Sequence, residues 1–107
     1  MTYSIAIIGL GLIGSSLALD LSQWAKKSCI TGYDIDEETR KWSLQQGIVD
    51  RIAESLIQAI DGADFIFIAT PVRAIPKIYS AIHTHLAPQA AVFDLGSNRQ
   101  WIFDQLI

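Results

Sequence analysis

Residues 4–14 read Ser4-Ile5-Ala6-Ile7-Ile8-Gly9-Leu10-Gly11-Leu12-Ile13-Gly14, an apolar run that stops at three glycines spaced G-x-G-x-x-G. The run is continuous rather than alternating, which suits a strand covered on both faces by helices. Beyond Gly14 the period changes. Leu17, Leu21 and Trp24 recur at helical spacing with Ala18 and Ala25 beside them, which predicts a core-facing helix from Ser15 to Lys26. A strand, a glycine turn and a helix in immediate succession open a βαβ unit.

The rest of the chain repeats that alternation. Phe65-Ile66-Phe67-Ile68-Ala69 and Ala91-Val92-Phe93-Asp94-Leu95 read as strands buried on both faces, and Cys29-Ile30-Thr31-Gly32-Tyr33 as a weaker one. Asp36 is placed to cap a helix running to about Gln46, with Glu37 and Glu38 at the positive end of its dipole. Gly47 ends that helix, a short strand fits within 48–54, and Ser55-Leu56-Ile57-Gln58 fits a capping box for a helix closing near Asp61-Gly62. A further helix is predicted from about Arg73 to Leu86, with Pro76 tolerated in its first turn and Pro88 beyond its end. The order predicts a Rossmann-type, doubly wound α/β fold: a mainly parallel sheet of about five or more strands, in order 3-2-1-4-5, forming one domain over residues 1–107.

Composition narrows the function classes. Half of the 107 residues are apolar, 18% are charged and the net charge is −3, as in a globular domain. The eight Lys and Arg are scattered, so no basic stripe offers itself to nucleic acid, and no apolar run is long enough to span a membrane. Cys29 is alone and reads as a small buried residue; Met1-Thr2-Tyr3-Ser4 carries no basic leader, which makes the cytoplasm the expected location.

The glycine motif points to a dinucleotide. Gly9 permits the tight turn, Gly11 lacks the Cβ that would block a pyrophosphate, and Gly14 lets helix and strand approach; free N–H groups at Leu12 and Ile13 then face the phosphates. Asp34 ends the second strand 20 residues after Gly14, where a carboxylate accepts from both hydroxyls of the adenosine ribose. With Asp36, Glu37 and Glu38 behind it, and no cation before Arg40, a 2′-phosphate is disfavoured, so NAD is expected over NADP. Thr70-Pro71-Val72 and Leu95-Gly96-Ser97-Asn98 follow strands at the carboxyl edge, where ligands bind in open α/β sheets. From spacing alone, Thr70 and Ser97 fit equally a ligand contact and a turn or helix start. His83 and His85, i and i+2 on a helix, face different directions near the amino edge and read as solvated; no metal site is expected.

With these residues in place the sequence resembles the nucleotide-binding domain of the prephenate and arogenate dehydrogenases of tyrosine biosynthesis. The matching pieces are Ile7 to Gly14 with Ser16 and Leu17, then Gly32-Tyr33-Asp34, Ala63-Asp64, Ala69-Thr70-Pro71-Val72 and Asp94-Leu95-Gly96-Ser97, in the family's order and across nearly the whole chain. Ser15 stands where the family commonly has Gly. Asn98-Arg99 stand where it tends to have Val-Lys. The resemblance implies an NAD-dependent oxidation of a cyclohexadienyl substrate followed by decarboxylation. It implies that Ser97 hydrogen-bonds the substrate hydroxyl and orients a catalytic histidine in a downstream His-Pro segment. It also implies a helical second domain that supplies a substrate-binding arginine and most of a dimer interface.

No histidine follows His85, so the expectation is a chain that binds NAD but lacks the catalytic histidine and the second domain. Trp101, Ile102, Phe103, Leu106 and Ile107 are too apolar for a free tail and suggest a missing or intermolecular partner, such as a second copy pairing through this helix. Two alternatives are a stand-alone NAD(H)-binding sensor or interaction module, and the Rossmann half of a hydroxyacid or imine reductase.

Overall fold

In the computed structural model, which describes residues 2–24 and 27–95, β1 (Ser4–Ile8) is the middle strand of a five-stranded parallel sheet. β2 (Cys29–Tyr33) and β3 (Arg51–Ile52) lie to one side; β4 (Phe65–Ile68) and β5 (Ala91–Asp94) lie to the other. The order is 3-2-1-4-5, as the alternation predicts. Between the strands run α1 (Leu12–Trp24), α2 (Glu37–Gln45), α3 (Leu56–Ile60) and α4 (Ile75–Ile82).

Strand alternation divides the core into two layers. Ile5 and Ile7 point to the face where Ala18 of α1, Ile48 and Val49 pack; Ala6 and Ile8 point to the face covered by Ile60 of α3 and Ile82 of α4. Both layers are fully buried at β1, which explains why its sequence shows no polar alternation. β5 departs from that expectation. All four of its residues are half-buried, because β4 is its only paired neighbour among the described residues.

Three helices differ from their sequence reading. α1 starts at Leu12, inside the glycine motif, where Ser15 N–H bonds the Gly11 carbonyl at 2.9 Å. Its last turn carries Trp24 to 88% exposure rather than into the core: 13 residues of helix run about 20 Å, past the end of strands about 16 Å long. The predicted helix over 73–86 is divided into a 3₁₀ turn at Val72–Ala74, α4, and a second 3₁₀ turn at His83–His85. Pro76, with no N–H to give, sits at the α-helical start, where none is needed. Ser55 caps α3 through Gln58 N–H at 3.1 Å, but the Gln58 side chain returns to Glu54 N–H, one residue before the cap. Asp36 caps α2 as expected, accepting from both the N–H and the hydroxyl of Thr39.

Register aligns the strand ends. Ile8 pairs with Tyr33 on one side and Ile68 on the other, and Ile68 pairs with Asp94, so the next residues, Gly9, Asp34, Ala69 and Leu95, form one row along the carboxyl edge. At the amino edge, carboxylates tie the first strand residues. Asp64 Oδ2 accepts from Ser4 N–H and Asp50 Oδ2 from Ile30 N–H, both at 2.8 Å. The expected helix beyond Ser97, with its proposed role in pairing two copies, lies outside the described residues, as do Ala25 and Lys26.

The Ser4 N–H, and after it the Gln89 amide, hold the Asp64 carboxyl below its ordinary value of 3.8; the Thr39 hydroxyl and N–H do the same for Asp36. A carboxyl depressed in the folded state contributes stability above its unfolded value, and this is lost as pH falls through the folded one. The urea midpoint is therefore expected to fall as pH is lowered past 3.8, and Asp64→Asn should flatten that dependence while lowering the plateau at neutral pH. Urea titrations of both proteins across the acid range check this.

Candidate functional site

The turn from β1 into α1 is built on contacts too close for any side chain. Gly9 has φ +98°, and a Cβ there would stand 2.7 Å from the Ala69 carbonyl oxygen. A Cβ on Gly14 would run into the carbonyl of Gly9, so helix and strand meet backbone to backbone. Gly11 is different. A Cβ on it would meet nothing within 4 Å, so the fold does not need this glycine, whereas a ligand approaching the backbone would. The N–H groups of Leu12 and Ile13 lie ahead of the first helical bond and point out of the helix start, the favourable end of its dipole for an anion. Ser15, in the place of the family's glycine, is accommodated by donating its hydroxyl to the Leu10 carbonyl at 2.9 Å.

Asp34 stands beside this loop. Its Oδ2 accepts from Leu10 N–H at 2.8 Å and its Oδ1 from Asp36 N–H at 2.9 Å, while Gly9 N–H bonds the Tyr33 carbonyl at 2.8 Å. A carboxylate has about four acceptor sites, so Asp34 can hold the turn and still accept from a sugar hydroxyl. Arg40, the first cation after the acidic cluster, is turned into the protein. Its side chain is 14% exposed; Nη1 donates to the Asp34 carbonyl at 2.8 Å and the Ile35 carbonyl at 3.4 Å, and Nη2 lies 3.6 Å from Glu54 Oε2.

Two cavities flank the glycine loop. The larger, about 630 Å³, runs from Gly9 and Gly11 past Asp34 and Ile35 to Ala74 of the 3₁₀ turn and Ile78 of α4; the smaller, about 340 Å³, lies among Leu12, Ile13, Val72 and Leu95. The Thr70 hydroxyl is buried and has no hydrogen-bond partner among the described residues, although Thr70 is one of four residues, with Gly11, Ala69 and Pro71, that line both cavities. An unpaired buried hydroxyl carries a desolvation penalty that a ligand acceptor or donor would relieve. The open space over Gly11, the orphaned Thr70 hydroxyl and two cavities meeting at a helix start together fit an extended molecule with a phosphate centre.

The structure thus brings together Gly9, Gly11, Leu12, Ile13, Gly14, Asp34, Thr70, Pro71 and Val72 of the sequence-read site. Ser97 lies outside the described residues. His83 and His85 sit in the 3₁₀ turn after α4, with His83 stacked on Tyr79 at 6.0 Å between ring centroids. Sequence reasoning missed the floor of the larger cavity, Tyr33, Leu56, Ala74 and Ile78. The i, i+4 pair Ala74 and Ile78 was visible as a helical stripe, but only the sheet order shows that part of the stripe faces the cavity. It also missed Leu10. The residue between the first two glycines is 2% exposed and packs where a Cβ on Gly32 would come within 3.1 Å.

A family model described as the prephenate dehydrogenase nucleotide-binding domain matches residues 17–106. The chain belongs to that family. It is 32% identical over 105 residues to the prephenate dehydrogenase of Bacillus subtilis, an alignment that takes in 97% of this chain and 28% of the relative. Among solved structures it is similar to A. aeolicus prephenate dehydrogenase, crystallised with hydroxyphenyl propionate and NAD+, at a TM-score of 0.82 and 32% identity over 89% of this chain and 34% of that one. It is similar also to Synechocystis arogenate dehydrogenase, at 0.80 and 32% identity over 88% and 33%. The prephenate dehydrogenase nucleotide-binding domain seen here thus spans about a third or less of the chains it matches.

The glycines separate folding from binding. Gly9→Ala and Gly14→Ala are each expected to lower folding stability by about 3 kcal/mol, since backbone rather than a side-chain tip must move. Gly11→Ala should fold with stability within about 0.5 kcal/mol of wild type and yet lose at least about tenfold in dinucleotide affinity. Chemical denaturation and nucleotide titration of the three variants separate these outcomes.

Proposed function

We propose that this chain is the nucleotide-binding part of an NAD-dependent prephenate or arogenate dehydrogenase, a cytoplasmic enzyme of tyrosine biosynthesis. The observation that carries the reading is the pair of cavities joined at the glycine loop, with Asp34 bounding the larger. The larger takes the adenosine: apolar Ile35, Ala74 and Ile78 flank the flat base, and Asp34 accepts from the ribose hydroxyls. The helix start at Leu12 and Ile13 takes the pyrophosphate, and the smaller cavity takes the nicotinamide ribose and ring.

A dinucleotide held there would supply the oxidant, a nicotinamide ring able to take up a hydride. The chain's own contribution would be to present one face of that ring at the carboxyl edge beside Leu95, against the apolar side chains of Leu12, Ile13 and Val72. Ser97, two residues beyond Leu95 in the sequence, is proposed to hydrogen-bond the substrate hydroxyl. A proton must also leave that hydroxyl, and a base has to come within hydrogen-bond reach to take it. His83 and His85 follow α4 and precede β5, so neither belongs to the carboxyl edge. The base and the substrate-binding residues are proposed to come from a further helical domain, and the chain by itself to bind NAD without turning over prephenate.

NAD is proposed over NADP on two grounds. Asp34 lines the larger cavity with Asp36, Glu37 and Glu38 following it in the sequence, and Arg40, the first cation after them, is already engaged by two carbonyls and Glu54, while Lys77 of α4 lines that cavity as well. Titration of the purified chain is expected to give a Kd for NAD at least about tenfold below that for NADP, equivalent to 1.4 kcal/mol. Asp34→Ala should weaken NAD and narrow the ratio. Equal affinities, or steady turnover of prephenate by this chain alone, would defeat the reading.

A further inference from the structure

The turn that follows β2 carries the carboxylate of the adenosine site, yet little packing holds it. Ile35 is 89% exposed and Asp36 lies at the surface, so burial does not fix the path of the chain from Tyr33 to the start of α2. Polar contacts do. On the side of the glycine loop, Asp34 Oδ2 meets Leu10 N–H and Oδ1 meets Asp36 N–H. On the opposite side, the backbone carbonyls of Asp34 and Ile35 both converge on Nη1 of Arg40, at 2.8 and 3.4 Å.

Arg40 is itself fixed from three directions. It projects from α2, its guanidinium carbon lies 5.9 Å from the centroid of the Tyr33 ring, and Nη2 faces Glu54 at 3.6 Å on the segment between β3 and α3. A planar, always-charged fork can hold two carbonyls and a carboxylate at once, whereas an ammonium offers a single point of charge. With both successive carbonyls held, the peptide planes on either side of Ile35 cannot rotate freely, and the Asp34 side chain keeps one direction. This group does not line the adenosine cavity, so any effect on the nucleotide passes through Asp34.

We propose that Arg40 is a positioning residue for nucleotide recognition: it clamps the turn after β2 so that the Asp34 carboxylate is preorganised toward the ribose hydroxyls. The inference rests on the assignment of Asp34 to the adenosine ribose. Preorganisation lowers the ordering required on binding, and its loss is felt by the hydroxyls that Asp34 would accept from and hardly by the base or the phosphates.

The test pairs a protein change with a ligand change. Kd is measured for NAD and for its analogue lacking the 2′-hydroxyl on the adenosine ribose, with wild type, Arg40→Met and Arg40→Lys, and folding is followed by thermal denaturation. Wild type is expected to prefer NAD by about tenfold, and Arg40→Met to reduce that preference to about twofold or less by weakening NAD while leaving the analogue nearly unchanged. Arg40→Lys, which keeps the charge but not the fork, should fall between them and carries the comparison should the methionine variant prove too unstable. A variant that weakens both ligands equally, or neither, overturns the role of Arg40 while the ribose assignment stands. A wild-type chain that binds NAD and its analogue alike removes the ribose assignment, and this inference with it.

Discussion

The backbone contact between Gly9 and Gly14 is the constraint on which the rest of the structure depends. Because no side chain separates them, α1 can begin directly above the end of β1 and lie back across the sheet, with Ala18 at 0% exposure against the first core layer. The positive φ at Gly9 turns the chain out of the sheet plane within one residue, under the Ala69 carbonyl of the neighbouring strand. Since β1 pairs with both β2 and β4 at matching levels, that turn also fixes where the following loops emerge. The helix start, Asp34 and Thr70 are thus gathered by a steric condition at two glycines and a register, before any ligand is considered.

The two edges of the sheet use aspartates differently. At the amino edge, Asp64 and Asp50 each accept a strand N–H that has no ladder partner, and Asp64 takes the Gln89 amide on its other oxygen. These carboxylates complete the backbone accounting of the fold. At the carboxyl edge Asp34 does the same for Leu10 and Asp36 but borders a cavity, so its remaining lone pairs face open space. The same side chain forms the turn through two of its acceptor sites and still borders the cavity.

Much of this was legible in the sequence. Strand limits at β1 and β2 followed from runs bounded by Ser4 and Gly9 and by Cys29 and Tyr33, the doubly wound class followed from the alternation of elements, and the observed order is the one expected within that class. Asp36 and Ser55 announced their helices because a capping side chain acts on residues two or three positions away. What escaped was set by distance along the chain. Trp24 has the period of a core residue but lies beyond the strand ends, and the burial of Leu10 depends on Gly32. The internal engagement of Arg40 depends on Glu54 and on two carbonyls. Periodicity reports which face of a helix a residue occupies; it does not report what stands opposite that face.

Recognition at this edge is uneven between its two halves. The larger cavity is walled in part by residues of β1, β2 and α4 that belong to a core or pack against it, such as Ile8, Tyr33 and Ile78, with exposed Ile35 beside Asp34. The smaller cavity is walled by Leu12 and Val72, 85% and 55% exposed, and by Leu95 at the last described position. Walls in place before a ligand arrives reduce the entropy lost on binding, and the larger cavity has more of them. A prephenate and an arogenate dehydrogenase are each 32% identical to the chain, at TM-scores of 0.82 and 0.80, so the glycine turn and its register hold the same geometry in both relatives.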